Sequence, residues 1–279
     1  MDKEEINNQV YFEEGKGPVL VFFPPWIGNH LTFQPMISYL KKDYTCKVLE
    51  IPGYGYSPEF KTKKHNIKEF AQCLDDFIIS INGSEEIILI GCSLGCAIIL
   101  EMLHKKLGAE ISKPKIAGLV LLSPLLHKME LDKKGKIQVH FILEKTPIPY
   151  LLKWLSKFKL GRKIVYYFGD DNTRSVTFNK IDKYALETLN LMSVKSIRES
   201  TISALNYSLP ENLKVNIPTT ILYGKEDWLY HKVKPESFST LFHNTFSCIG
   251  YPGGFHFLLI QKPKLMANAI RKFSKTLLK

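Results

Sequence analysis

Five cysteines in 279 residues are too few, and odd in number, for a disulfide framework, and they suit a reducing compartment. The chain also lacks the roughly 18 unbroken apolar residues that a membrane-spanning helix requires. Its longest candidate run, residues 119–126, is interrupted by Ser123 and Pro124. The opening residues, Met1-Asp2-Lys3-Glu4-Glu5, do not have the basic-then-apolar order of a secretion signal. These absences predict a cytoplasmic protein without a transmembrane segment. No Gly-x-x-x-x-Gly-Lys-Ser/Thr loop occurs to cradle phosphates, and no His-Glu-x-x-His pair to hold zinc. Gly53-Tyr54-Gly55 follows a strand-like run but lacks the third glycine and the helix start of a dinucleotide fingerprint. Cys92 and Cys96 stand four apart with no histidine or cysteine partner nearby, so they read as small core residues rather than metal ligands. The expectation is a protein without metal or cofactor.

Acidic residues are also scarce. Twenty-seven Asp and Glu against 38 Lys and Arg leave a formal charge of +11. The surplus is concentrated between Lys128 and Lys163, where ten basic residues face three acids. No helix-turn-helix, zinc-finger or aromatic RNA-binding pattern accompanies it, so nucleic acid is not an expected partner. A solvated lysine-rich surface explains the charge. Attraction of an anionic substrate, or peripheral contact with an acidic membrane surface, would use it.

What is present is alternation. Short apolar or β-branched runs at 19–23, 47–51, 87–90, 116–122, 219–223 and 245–249 are separated, in the first half, by helical spacing at 33–40, 67–81 and 96–107. That order predicts an α/β fold with a mostly parallel sheet flanked by helices. Residues 10–13 suggest an antiparallel edge strand. The alternation stops after Leu122 and resumes near residue 211, so residues 127–210 read as an inserted helical cap between core segments 1–126 and 211–279. Within the insertion, Leu151, Trp154, Leu155 and Phe158 share one helical face and Lys153, Lys157 and Lys159 point elsewhere. The Trp154, Leu155 and Phe158 side chains, with Tyr166 and Tyr167, are the candidate walls of an apolar pocket.

The most chemically informative segment is Gly91-Cys92-Ser93-Leu94-Gly95, set between the strand run 87–90 and the helical stretch 96–107. A serine on a sharp strand-to-helix turn needs neighbours without a Cβ two positions away on either side, and both are glycine. The following helix points unpaired N–H groups at any oxyanion formed near Ser93, with the Leu94 amide as the expected donor. A serine hydroxyl needs an imidazole to accept its proton and a carboxylate to hold that imidazole. His256 follows the last strand, and loops leaving the C-terminal ends of parallel strands converge on one edge of the sheet. Gly224-Lys225-Glu226-Asp227 follows the strand before it. Asp227 is the expected acid, with Glu226 one residue away as its competitor.

With these segments in the order Ser93, Asp227, His256, the chain resembles the α/β-hydrolase fold superfamily, in the branch with a helical cap. Residues 51–57, Ile-Pro-Gly-Tyr-Gly-Tyr-Ser, resemble the Pro-Gly-x-Gly-x-Ser turn of many capped members. The resemblance implies a second oxyanion donor in the loop after strand 19–23. Members commonly carry His-Gly-x-x-Gly there, whereas this chain has Pro24-Pro25-Trp26-Ile27-Gly28. The donor implied is the amide of Trp26, which the two prolines leave intact. The function implied is hydrolysis of a small-molecule acyl substrate, an ester first and a thioester or carbon–carbon bond as alternatives. A low-turnover ligand-binding protein on the same fold is the rival of another class.

Overall fold

The computed structural model describes residues 1–81, 86–106, 114–126, 141–155, 157–158, 188–227, 235–242 and 246–278. Its frame is an eight-stranded sheet of β1 (Asp2–Ile6), β2 (Gln9–Glu14), β3 (Val19–Phe23), β4 (Thr45–Leu49), β5 (Glu86–Cys92), β6 (Lys115–Leu122), β7 (Thr219–Gly224) and β8 (Phe246–Tyr251), in the order β1-β2-β4-β3-β5-β6-β7-β8. Pairing is antiparallel at β1–β2 and β2–β4 and parallel from β4 to β8. The expected edge strand at 10–13 is β2, one place in from the edge. The edge itself is β1, whose sequence Asp-Lys-Glu-Glu-Ile carries no apolar pattern. A two-residue turn at Asn7 and Asn8, with φ of 52° and 61°, folds it back onto β2, which is the hairpin geometry asparagine accommodates best after glycine.

Helices cover both faces. On one side α1 (His30–Leu40) packs with α6 (Leu258–Gln261) and α7 (Pro263–Ser274). On the other lie α2 (Ile67–Ser80) and α3 (Leu94–Lys105). The strands divide their side chains between the two layers. In β3, Val19, Val21 and Phe23 join the α2–α3 layer, whereas Leu20 and Phe22 join the α1–α7 layer. Burial on both faces is why these runs are apolar without alternation. Between β6 and β7 the structure describes α4 (Ile148–Leu155) and α5 (Val194–Asn206). No helix among the described residues is long and apolar enough to cross a membrane.

Helix α5 docks on the core through serines. Tyr54 donates its hydroxyl proton to Ser200 at 2.8 Å, and the Ile67 amide donates to Ser203 at 3.1 Å. Beside them the buried His65 contacts Glu199 through Nδ1 at 3.0 Å and accepts the Phe60 amide through Nε2 at 3.1 Å. Burial holds the His65 pKa below its ordinary value. That favours the neutral ring with its proton on Nδ1, the tautomer these two bonds require.

Helix α4 is turned inside out. Its lysine, Lys153, faces inward and donates to the carbonyl of Met192, while Tyr150, Leu151 and Trp154 face solvent. The apolar face expected from the spacing is present and largely exposed. Trp154 is 55% and Phe158 50% exposed, and the two rings meet edge-on at 5.0 Å. Leu155 is half-buried. Tyr166 and Tyr167 lie outside the described residues.

Candidate active site

The turn between β5 and α3 is as tight as its glycines suggest. A Cβ on Gly91 would fall 2.8 Å from the Cys96 nitrogen, and one on Gly95 only 2.2 Å from the Phe23 carbonyl oxygen. Ser93 itself sits at φ 51°, ψ −111°, a strained conformation for a residue with a side chain. Its backbone is held on three sides. The Ser93 N–H donates to Leu122 O at 2.9 Å, and its carbonyl accepts from Cys96 N at 3.0 Å and Leu125 N at 3.2 Å. The hydroxyl is thus fixed above the C-terminal ends of the strands. Beneath it, burial raises the thiol pKa values of Cys92 and Cys96, so both stay neutral.

Two loops bring partners to that hydroxyl. Strands β7 and β8 pair in parallel as far as Gly224 and Tyr251. Their loops then lie so close that a Cβ on Gly224 would fall 2.1 Å from the Gly254 carbonyl oxygen. Lys225 N donates to Tyr251 O and Glu226 N to Gly254 O, each at 3.0 Å. The side chain of Glu226 closes the clamp by accepting the Gly254 amide at 2.9 Å. This separates the two neighbouring acids. Glu226 ties the loops together, and the fully buried Asp227 reaches His256 Nδ1 at 2.9 Å. His256 Nε2 lies 2.9 Å from Ser93 Oγ.

A carboxylate can only accept, so the Asp227 contact places the imidazole proton on Nδ1 and leaves Nε2 to accept the Ser93 hydroxyl proton. Serine, imidazole and carboxylate therefore form one continuous hydrogen-bonded line. Of the other histidines, His30 pairs through Nδ1 with buried Glu50 at 2.6 Å. Glu50 also accepts the Tyr56 amide and occupies the space a Cβ on Gly55 would need. This ties the 51–57 turn to the start of α1. Sequence reading missed both the Glu226 clamp and the Glu50 anchor. Their only signal is an acid beside a glycine-containing turn, which surface solvation explains equally well.

The loop after β3 runs beside the serine turn because Phe23 pairs with Gly91. It carries Pro24, Pro25 and Trp26 past the level of Ser93 and Leu94. Gly28 N donates to Pro25 O at 3.0 Å, closing a turn with Ile27 at φ 53°. Trp26 occupies one corner of this turn and is 37% exposed, so its ring is not core packing. Leu94 is the first residue of α3, where backbone N–H groups have no partner within the helix.

Comparison with known proteins agrees with this architecture. The family model described as the alpha/beta hydrolase fold matches residues 18–263. The chain is 22% identical over 277 residues, covering 95% of it and 94% of the relative, to a protein named uncharacterized hydrolase YugF of Bacillus subtilis (strain 168). It is 31% identical over 110 residues to a pimeloyl-(acyl-carrier protein) methyl ester esterase of Vibrio atlanticus (strain LGP32), spanning 37% of this chain and 40% of that one. Among solved structures, a thermophilic esterase of Thermogutta terrifontis superposes with a TM-score of 0.74 at 14% identity, covering 96% and 94% of the two chains. The chain belongs to the α/β-hydrolase fold family.

Proposed function

We propose that the protein is a serine hydrolase acting on carboxylic esters, with Ser93 as nucleophile, His256 as general base and acid, and Asp227 as the group orienting His256. The single observation that carries this reading is the imidazole shared at 2.9 Å between Ser93 Oγ and the buried Asp227 carboxylate. In the reaction, His256 Nε2 takes the hydroxyl proton as Ser93 Oγ bonds to the carbonyl carbon. The amides of Leu94 and Trp26 donate to the resulting oxyanion. Collapse expels the alcohol, which leaves with the proton from His256. Water then attacks the acyl-enzyme by the same proton route, releasing the acid and restoring Ser93. We assign residues 127–210 to an inserted cap, and the five free cysteines fit a cytoplasmic setting. The methyl ester in the name of the Vibrio relative favours an ester over a thioester or a carbon–carbon bond.

The test is a panel of p-nitrophenyl esters and acyl thioesters of increasing chain length, run on the parent chain and on His256→Ala. The expected outcome is hydrolysis of short and medium esters that falls by about 10³-fold or more in the variant. Equal rates in the two proteins would remove His256 from the mechanism. Faster cleavage of every thioester than of its matching ester would reassign the substrate class.

A second reading concerns the surface. The outward apolar face of α4, with exposed Lys157 next to it, suits contact with an anionic membrane better than the wall of a pocket. Cosedimentation with phosphatidylglycerol vesicles at low salt is expected, weakening several-fold in Trp154→Ala and at high salt. No sedimentation at low salt would contradict it.

A further inference from the structure

A cavity of about 680 Å³ lies where the N-terminus of α2 and the C-terminal halves of α3 and α5 meet. Glu101 and His104, one turn apart on α3, both line it. Glu101 is eight residues past Ser93, which places it about 12 Å further along the helix axis. It belongs to no part of the arrangement around Ser93. Glu101 is only 7% exposed, and its carboxylate has no hydrogen-bond or ion-pair partner among the described residues. The Nδ1 atom of His104 is likewise buried without a partner. Glu199, at the same cavity, differs because its carboxylate is already engaged by His65.

A carboxylate on a cavity wall that has no partner in the protein is free to accept the N–H groups of a bound cation. The lysines of the lining, Lys64 and Lys68, are exposed at its rim and make no ion pair with Glu101. Of the three carboxylates in the lining, Glu101, Glu144 and Glu199, Glu101 suits a counter-charge best, because it is the most buried and has no partner among the described residues. Ile67, Ile202 and Pro210 supply apolar wall, and the volume falls in the range of small-molecule sites. We propose that this cavity is a second ligand site that takes a small primary alkylammonium ion, with Glu101 as its counter-charge. The charged head sits at the carboxylate, and the alkyl part lies against the isoleucines.

The test is a thermal-shift and calorimetric titration with n-butylammonium chloride, against 1-butanol as the uncharged isostere and sodium chloride at equal ionic strength. The parent chain is expected to show a saturable rise in Tm of a few degrees with butylammonium alone. Glu101→Gln is expected to lose that rise while keeping the parent's circular dichroism. Ile202→Trp retains the carboxylate but fills the cavity, and it is expected to lose the rise as well. A parent chain that gives no saturable response overturns the proposal, as does an equal response from the parent and Glu101→Gln. Either result would mean that the cavity holds only water. Neither variant touches Ser93, His256 or Asp227, so the outcome is independent of the hydrolase reading.

Discussion

Replacing Ser93 with alanine is expected to lower kcat for the best ester by about 10⁴-fold or more while moving Tm by no more than about 2 °C. The two halves of that expectation have different origins. The fold is held at this position by the backbone, through Leu122 O, Cys96 N and Leu125 N, and alanine keeps all three bonds. The positive φ costs alanine about what it costs serine, since both carry a Cβ. Only Oγ is lost, and with it the atom that His256 Nε2 approaches at 2.9 Å. Stopped assays with excess ester, beside calorimetric melting of both proteins, give the two numbers. An alanine variant that keeps more than about a tenth of the parent rate would mean that another group attacks the substrate.

Gly95→Ala is the substitution expected to damage the fold most for the least added volume. Its Cβ would stand 2.2 Å from Phe23 O and 2.8 Å from Pro24 O, both backbone atoms. Strand β3 sits between β4 and β5 and cannot retreat without breaking a ladder. Overpacking against fixed backbone costs about 3 kcal/mol or more, or roughly 6–12 °C of Tm in a chain of this size. Any relief has to come from moving the Pro24–Trp26 loop, so turnover is expected to fall as well. Gly253→Ala is the control. It has a positive φ of 65°, which Gly95, inside α3, does not, but its Cβ would meet only the tip of Lys262 at 3.6 Å, so about 1 kcal/mol is expected. Similar melting losses in the two variants would mean that the close approach at Gly95 costs no more than a positive φ with open space around it.

The parts of this molecule that could be read from sequence are those in which one local constraint decides the residue type. Strands buried on both faces must be apolar throughout, so β3, β5 and β6 stand out. The Ser93 turn excludes a Cβ at Gly91 and Gly95, so its pentapeptide stands out too. Strand β1 was not legible because all but one of its residues are exposed, and its existence depends on pairing with β2 after the Asn7–Asn8 turn. Strand β8 runs to Tyr251, past the expected end at 249, because Gly250 and Tyr251 extend the ladder along β7 without an apolar signature. The sequence favours Asp227 over Glu226 as the acid but assigns Glu226 no role of its own. What separates them is the contact of Gly224 with Gly254, which turns one acid into the gap between loops and the other toward His256. For α4, periodicity reveals two faces but not which one turns inward. In the structure the lysine side bonds back to the chain, Lys153 donating to the Met192 carbonyl.

In the proposed reaction, Ser93 Oγ is the atom that bonds to substrate. Treating the folded protein with a fluorophosphonate ester and mapping the modified peptide by mass spectrometry tests this directly. The predicted result is a single stoichiometric adduct on Ser93, formed far more slowly in His256→Ala and Asp227→Asn. Ester turnover at the parent rate after treatment, with Ser93 unmodified, would contradict it.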